Sequence, residues 1–371
     1  MIRRPPISTI RLTRRQRQMC IRDSHIPVRL GLMNADGRDM KVQRGGGDSR
    51  TTHVLDFKQD NQTFVFDNID HKPVVSLFRG YSAPVKLEFD RSNDELAFCM
   101  AHDSDEFNRW DAGQQLATRI ILQLIRSIQN NDRLEMPDYF VDAYSKTMHD
   151  SALDKSLLAR ALSLPSISYI SERMDVADVQ AIHGAREFIH RQLSHRLQQE
   201  WLDLYNANQA EEFSLSSEAM GGRFLKNVAL SYLFYDDAET HVSLALNQFE
   251  TANNMTDQLA GFRVLVHNDT SQRQHVTEAF YQQWKHEHLV IDKWFTIQAM
   301  AVLDDTIHTV KKLFKHADFD LMNPNRTRAL LGAFCTANPV CFHDASGDGY
   351  RLLGEYVEKL NELNPQIAAR L

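Results

Sequence analysis

The chain has 371 residues, 43% hydrophobic and 25% charged, an ordinary composition for a soluble globular protein with room for two or more domains. Residues 1–24 hold seven Arg and one Asp, a local charge of +6, so the net −7 of the whole becomes −13 for residues 25–371. An acidic body argues against general nucleic-acid binding, and no run of 18 apolar residues suggests a membrane-spanning helix.

Residues 1–24 lack an apolar stretch and fail as a secretory signal. Their Arg, Ser and Thr content fits an organellar transit peptide poorly and a translated sequencing-adapter read-through better. On that reading the native sequence begins near His25, inside a larger protein. The segment is expected to be non-native or disordered and to stand outside the fold.

Residues 25–92 read as strands. Val28, Leu30 and Leu32 alternate with Arg29 and Gly31, the period-two pattern of a half-buried strand. Asn34-Ala35-Asp36-Gly37 is a turn signal. Val54–Phe57, Thr63–Phe66, Val74–Phe78 and Val85–Phe89 continue the series, and short strands at this spacing predict a small β-sandwich. Gly45-Gly46-Gly47 reads as a loop, since no phosphate-loop Lys-Ser/Thr follows it.

The pattern changes at Asn93. Ile120, Ile121, Leu124, Ile125 and Ile128 form a helical stripe, Pro137-Asp138 opens the next helix, and Leu157, Leu158, Ala161 and Leu162 stripe another. Residues 175–207 predict one or two long helices buried through Phe188, Ile189, Leu193, Leu197, Trp201 and Leu204. Shorter helices follow at 217–235, 239–252, 255–267, 272–287, 289–301, 305–316, 325–336 and 349–363. Asn323-Pro324 and Asn364-Pro365 are start signals, because Asn caps orphan N–H groups and Pro suits the first helical position. Many helices in succession without intervening strands predict a mainly α fold, a helical superhelix (α-solenoid) over 93–371 preceded by the small β-sandwich at 25–92.

The chemistry-bearing residues are sparse. A thermolysin-like zinc site needs two His four apart on a helix with Glu between them. The one His-Glu pair, His286-Glu287, is followed at once by His288, and residues so spaced do not share a helix face. His183, His190 and His195 read as helix-surface residues. Asp344, Asp348 and Gly349 lack the alternating acidic ligands of a calcium loop. Asp304-Asp305 reads as a helix N-terminal charge pair, Asn253-Asn254-Met255 as an inter-helix turn, and Trp294 and Phe295 as core anchors. No catalytic or metal-ligating residue is assigned. Cys20, Cys99, Cys335 and Cys341 lack the paired spacing of a zinc ribbon and read as free thiols of a reducing compartment, so a cytoplasmic location is expected.

Several phrases together carry a resemblance. They are Gln62-Thr63-Phe64-Val65-Phe66-Asp67-Asn68, Ser82-Ala83-Pro84-Val85-Lys86-Leu87 and Phe107-Asn108-Arg109-Trp110-Asp111-Ala112. Further on come Ala252-Asn253-Asn254-Met255-Thr256-Asp257, Asp292-Lys293-Trp294-Phe295, Asn323–Phe334 and Asn364–Leu371. In order and spacing this resembles the C-terminal half of the bacterial alanyl aminopeptidases of the aminopeptidase N type, a family of gluzincin zinc enzymes. Its His-Glu-x-x-His and Gly-x-Met-Glu-Asn signatures are missing here.

The resemblance implies a β-sandwich linker and a C-terminal helical domain. That helical domain closes over a separate catalytic domain, caps its cavity and restricts entry to peptides. The zinc belongs to the absent domain, so the chain is expected to be an inactive fragment truncated at both ends, with peptides and the missing catalytic domain as partners, and neither nucleic acid nor membrane. By motif match the cavity-lining side chains are Arg328, Gln366 and Arg370. Gln366 and Arg370 stand at i, i+4, and a guanidinium fork suits a peptide carboxylate or carbonyl. The three are expected to converge on the concave face. The alternative reading is a stand-alone helical-repeat module that binds protein or peptide.

Overall fold

The computed structural model describes residues 8–13, 25–236 and 238–370. Five strands come first: β1 (Ser8–Thr13), β2 (Ile26–Met33), β3 (Thr52–Phe57), β4 (Asn61–Phe66) and β5 (Val74–Leu77). β1 pairs with β4 in a two-stranded sheet, and β3-β2-β5 form a second, all antiparallel. Their inward positions share one core: Val28, Leu30 and Leu32 of β2, Leu55 and Phe57 of β3, Phe64 and Phe66 of β4, and Leu77 of β5 are all buried.

Two expectations change here. Ser8–Thr13 lies inside the segment expected to stand outside the fold, yet it forms a strand in register from Ser8 opposite Phe66 to Thr13 opposite Asn61. The signal was the alternation of Ile10 and Leu12 with Thr9, Arg11 and Thr13, obscured by the surrounding arginines. The rest of 1–24 falls outside the described residues. Conversely, Val85–Phe89 joins no sheet, and Leu87 and Phe89 are exposed. Alternation makes a strand only where a neighbouring edge offers the ladder.

The helices are α1 (Asn93–His102), α2 (Glu106–Asn130), α3 (Asp138–Met148), α4 (Lys155–Ala161), α5 (Ile167–Ser171), α6 (Val179–Arg196) and α7 (Gln198–Ala207). Next come α8 (Ser217–Asp236), α9 (Ala238–Thr251), α10 (Met255–His267), α11 (Arg273–Trp284), α12 (His288–Ala299) and α13 (Thr306–Leu313). A short α14 (Pro324–Thr327) runs into a π-helix, Arg328–Ala337, and α15 (Pro339–Phe342), α16 (Asp348–Leu363) and α17 (Pro365–Ala368) complete the series. The chain divides into two compact units. One holds the residues up to Ile120 with Glu135–Pro165, the other Ile121–Leu134 with the residues from Ser166 onward.

In the first unit, Ser92 starts α1 with a capping box: its hydroxyl accepts from Glu95 N, and the Glu95 carboxylate accepts from Ser92 N. The centre of this unit is Arg79, 4% exposed. Left-handed backbone at Phe78 (φ 55°) and Tyr81 (φ 52°) flanks it. Its guanidinium donates to both oxygens of Asp39, at 2.7 and 2.9 Å, and to the Ser76 hydroxyl at 2.9 Å. Ser76 in turn donates to Asp103 after α1, and Asn108 of α2 donates to Ser76 Oγ and Leu77 O. The network joins β5 to the first two helices.

In the second unit α6 and α7 pack on α8, α9 pairs with α10, and α10 through α13 stack each on the next. Trp201 and Tyr232 stack at 4.0 Å, and Phe262 and Phe280 at 4.6 Å. Burying one such ring is worth roughly 1.5–3 kcal/mol. The stretch expected as one or two helices over 175–207 is two, broken at Leu197 (φ −121°, ψ 29°). His190, expected on the helix surface, is instead buried, stacked on Tyr235 at 4.2 Å.

Gly31 of β2 lies against the Arg79 guanidinium, and a Cβ there would stand 2.1 Å from Arg79 Cζ. Arg79 is pinned and cannot retreat. Gly31→Ala should therefore destabilise the first unit by roughly 2–4 kcal/mol, the cost of overpacking plus damage to a buried ion pair. Urea unfolding of the variant checks this, and an unchanged midpoint would contradict it.

Candidate functional site

The segment carrying Arg328 is built from its neighbours. Asn323 caps α14, its side chain accepting from Asn325 N at 3.0 Å and Arg326 N at 3.4 Å, with Pro324 at the first helical position. The next residue inward, Arg326, is 3% exposed. Its Nη1 lies 2.8 Å from Asp292 Oδ1, and its Cζ stands 5.1 Å from the Phe295 ring centroid. The pair is close but misaligned, for neither atom makes a hydrogen bond within angular limits. Thr327 donates to Leu321 O at 3.0 Å, and Thr296 of α12 donates to Ala329 O at 2.9 Å.

Arg328 sits between these anchored residues and is itself exposed. Its guanidinium makes a long 3.5 Å hydrogen bond to Asn325 Oδ1. From Arg328 the backbone winds as a π-helix, a form over-represented at functional sites. Buried Asn338 ends it, donating to Ala299 O at 3.0 Å and Ala301 O at 2.8 Å and accepting from Cys341 N at 3.2 Å.

Gln366 and Arg370 lie at the far end of α16, both exposed. Asn364 caps the last helix through Ile367 N at 3.3 Å, but α17 ends at Ala368. Ala369 N still donates to Pro365 O, whereas Arg370 N donates to Ile367 O, so Arg370 stands in a turn past the helix. The expected shared helix face thus rests on a four-residue helix that Arg370 does not join. Among the described residues no hydrogen bond or ion pair links Arg328 to Gln366 or Arg370.

Metal geometry is absent among the described residues: no three His, Cys, Asp or Glu side chains stand where they could hold an ion. The zinc implied by the resemblance fits no described residues of this chain. Cys99, Cys335 and Cys341 are free thiols, and burial pushes Cys335 up to about 12, away from thiolate chemistry. No described helix is long and apolar enough to cross a membrane.

Residues 93–371 match the family described as a domain of unknown function (DUF3458_C), ARM repeats, and residues 9–90 match DUF3458, Ig-like fold. The chain belongs to the DUF3458 family. The ARM repeats agree with the expected α-solenoid, and the Ig-like match with the small sheet domain before it. The chain is 39% identical over 350 residues to aminopeptidase N of Escherichia coli (strain K12), covering 94% of this chain and 40% of that protein. It is 32% identical over 347 residues to aminopeptidase N of Haemophilus influenzae, covering 94% and 40%, and 35% identical over 343 residues to that of Caulobacter vibrioides, covering 92% and 38%. The crystal structure of Legionella pneumophila aminopeptidase A in complex with aspartic acid superposes with a TM-score of 0.77 at 30% identity, covering 94% of this chain and 40% of that one. The chain therefore spans about 40% of the length of the relatives it matches, their C-terminal part.

One titration is built into this unit. His267 closes α10 with a ring nitrogen 2.8 Å from Ile297 O. Burial pulls its imidazole down to about 4 from an ordinary 6.5; the Ile297 carbonyl opposes this, and Arg263 and Arg273 add to it. The unfolded chain binds this proton near pH 6.5 and the folded chain only near 4, so stability falls as pH drops through that window and is unaffected above it. His190, also lowered well below its ordinary value by burial, acts in the same direction. The melting temperature should fall between pH 7 and pH 5, and fall less in His267→Gln. Equal falls in both proteins would contradict the assignment.

Proposed function

We propose that this chain is the C-terminal part of a zinc-dependent aminopeptidase N that removes N-terminal residues from peptides. In that enzyme it caps the active-site cavity and governs peptide entry. The observation that carries this reading is identity of 32–39% to three aminopeptidases N over 92–94% of the chain, all within about the last 40% of their length.

Zinc, peptide substrates and the catalytic domain belong to the parent enzyme in this proposal, and peptide catabolism in the cytoplasm is the proposed setting. Three free thiols support a reducing compartment. Arg328, Gln366 and Arg370 are proposed as peptide-facing groups. Their support is exposure with little commitment elsewhere: Arg328 keeps one 3.5 Å contact.

The chain alone should retain no zinc after dialysis and should leave alanyl-p-nitroanilide intact. Grafted in place of the corresponding part of the Escherichia coli enzyme, it should restore hydrolysis. In that chimera Arg328→Ala and Arg370→Ala should raise KM for tripeptides several-fold while sparing alanyl-p-nitroanilide. Turnover by the isolated chain, free of host aminopeptidases, would overturn the proposal.

A further inference from the structure

Helices α11, α12 and α13 enclose a slot of about 850 Å3. Two links cross it. At one end Arg273 Nη1 donates to both oxygens of Asp305, at 3.0 and 3.1 Å. At the other the Tyr281 hydroxyl donates to Asp318 at 2.5 Å. Arg273 and Tyr281 stand eight residues apart on α11, so the links are roughly 12 Å apart at 1.5 Å of rise per residue. An extended chain advances about 3.3–3.6 Å per residue, so roughly three to four residues fit between them. Because protein groups already tie the walls together, the slot is formed before any ligand arrives.

The lining suits peptide chemistry. Gln298 on the floor is 7% exposed and gives its amide N–H to Trp294 O at 3.0 Å. Its carbonyl oxygen accepts from no described residue, and the Thr309 hydroxyl on the facing wall is likewise uncommitted. Tyr281 and Trp294, with ring centroids 5.2 Å apart, give an apolar wall. Asp269 and Lys312 complete the pattern. Both line the slot, both are exposed, and neither is paired with a described residue. Asp269 immediately precedes the Arg273 end, whereas Lys312 lies seven residues beyond Asp305, about 10 Å further along α13.

We propose that this slot binds a free peptide of three to four residues in extended form. Its α-ammonium sits at Asp269, its α-carboxylate at Lys312, and its backbone amide donates to Gln298. The proposal does not rest on the aminopeptidase reading, since binding is measured on this chain with no catalysis.

The test titrates the whole chain with tetra-alanine, and separately with N-acetyl tetra-alanine amide, by calorimetry and tryptophan fluorescence. Free tetra-alanine should bind one to one. The capped peptide should bind more than tenfold more weakly, having lost both charges. Asp269→Asn and Lys312→Met, both at exposed positions, should each weaken the free peptide about three- to five-fold, the worth of one solvent-exposed charge pair, and leave the capped peptide unchanged. Gln298→Leu should weaken both peptides. No saturable binding, equal binding of free and capped peptide, or indifference to both charge variants would overturn the proposal.

Discussion

Short helices have many ends, and every C-terminal end leaves backbone carbonyls without a partner inside the helix. In the second unit, this constraint governs the packing. A carbonyl buried without a donor costs roughly 1–3 kcal/mol, so polar side chains must enter the core to meet it. They do so along the stack. Thr270 donates to Leu265 O in the last turn of α10, and a ring nitrogen of His267, the last residue of α10, lies 2.8 Å from Ile297 O in the last turn of α12. Asn338, at the end of the π-helix, meets Ala299 O at the end of α12 and Ala301 O just beyond it. The bonds from His267 and Asn338 reach α12 from other elements, so they fix the pairing as well as satisfying the groups. Apolar rings supply the adhesion; these polar contacts choose the register.

The first unit solves a different problem with the same means. Its strands give one small core, and two sheets of this size hold helices only weakly through apolar contact. The buried Arg79 guanidinium supplies the missing tie, reaching Asp39 directly and Asp103 and Asn108 through Ser76. A buried cation demands such satisfaction, since leaving any partner out would strand a charge away from water. Gly31 is the consequence in sequence: nothing larger than hydrogen fits beneath that guanidinium.

Much of the fold was legible in the residues. The helix expected at 255–267 is Met255–His267, and the one expected at 217–235 is Ser217–Asp236, because apolar periodicity and capping residues act locally. What failed depended on partners. Val85–Phe89 alternates like a strand but finds no edge to join, and Ser8–Thr13 became a strand because β4 offered one. The π-helix from Arg328 was invisible, since a shift in hydrogen-bond register leaves the side-chain pattern nearly unchanged. The site was legible only as a likeness. Arg328, Gln366 and Arg370 came from matched phrases. Gln298 and Lys312 carried no sequence signal at all, because only the stacking of three helices gives them a common slot.

The proposed function rests on similarity to the C-terminal part of aminopeptidases N. Genomic DNA upstream of the Ser8 codon decides it most directly. The proposed function predicts an open frame continuous with Ser8 that encodes His-Glu-x-x-His and a downstream zinc-ligating Glu. A stop codon followed by a native start close to Ser8, with no such motif in frame, would contradict it.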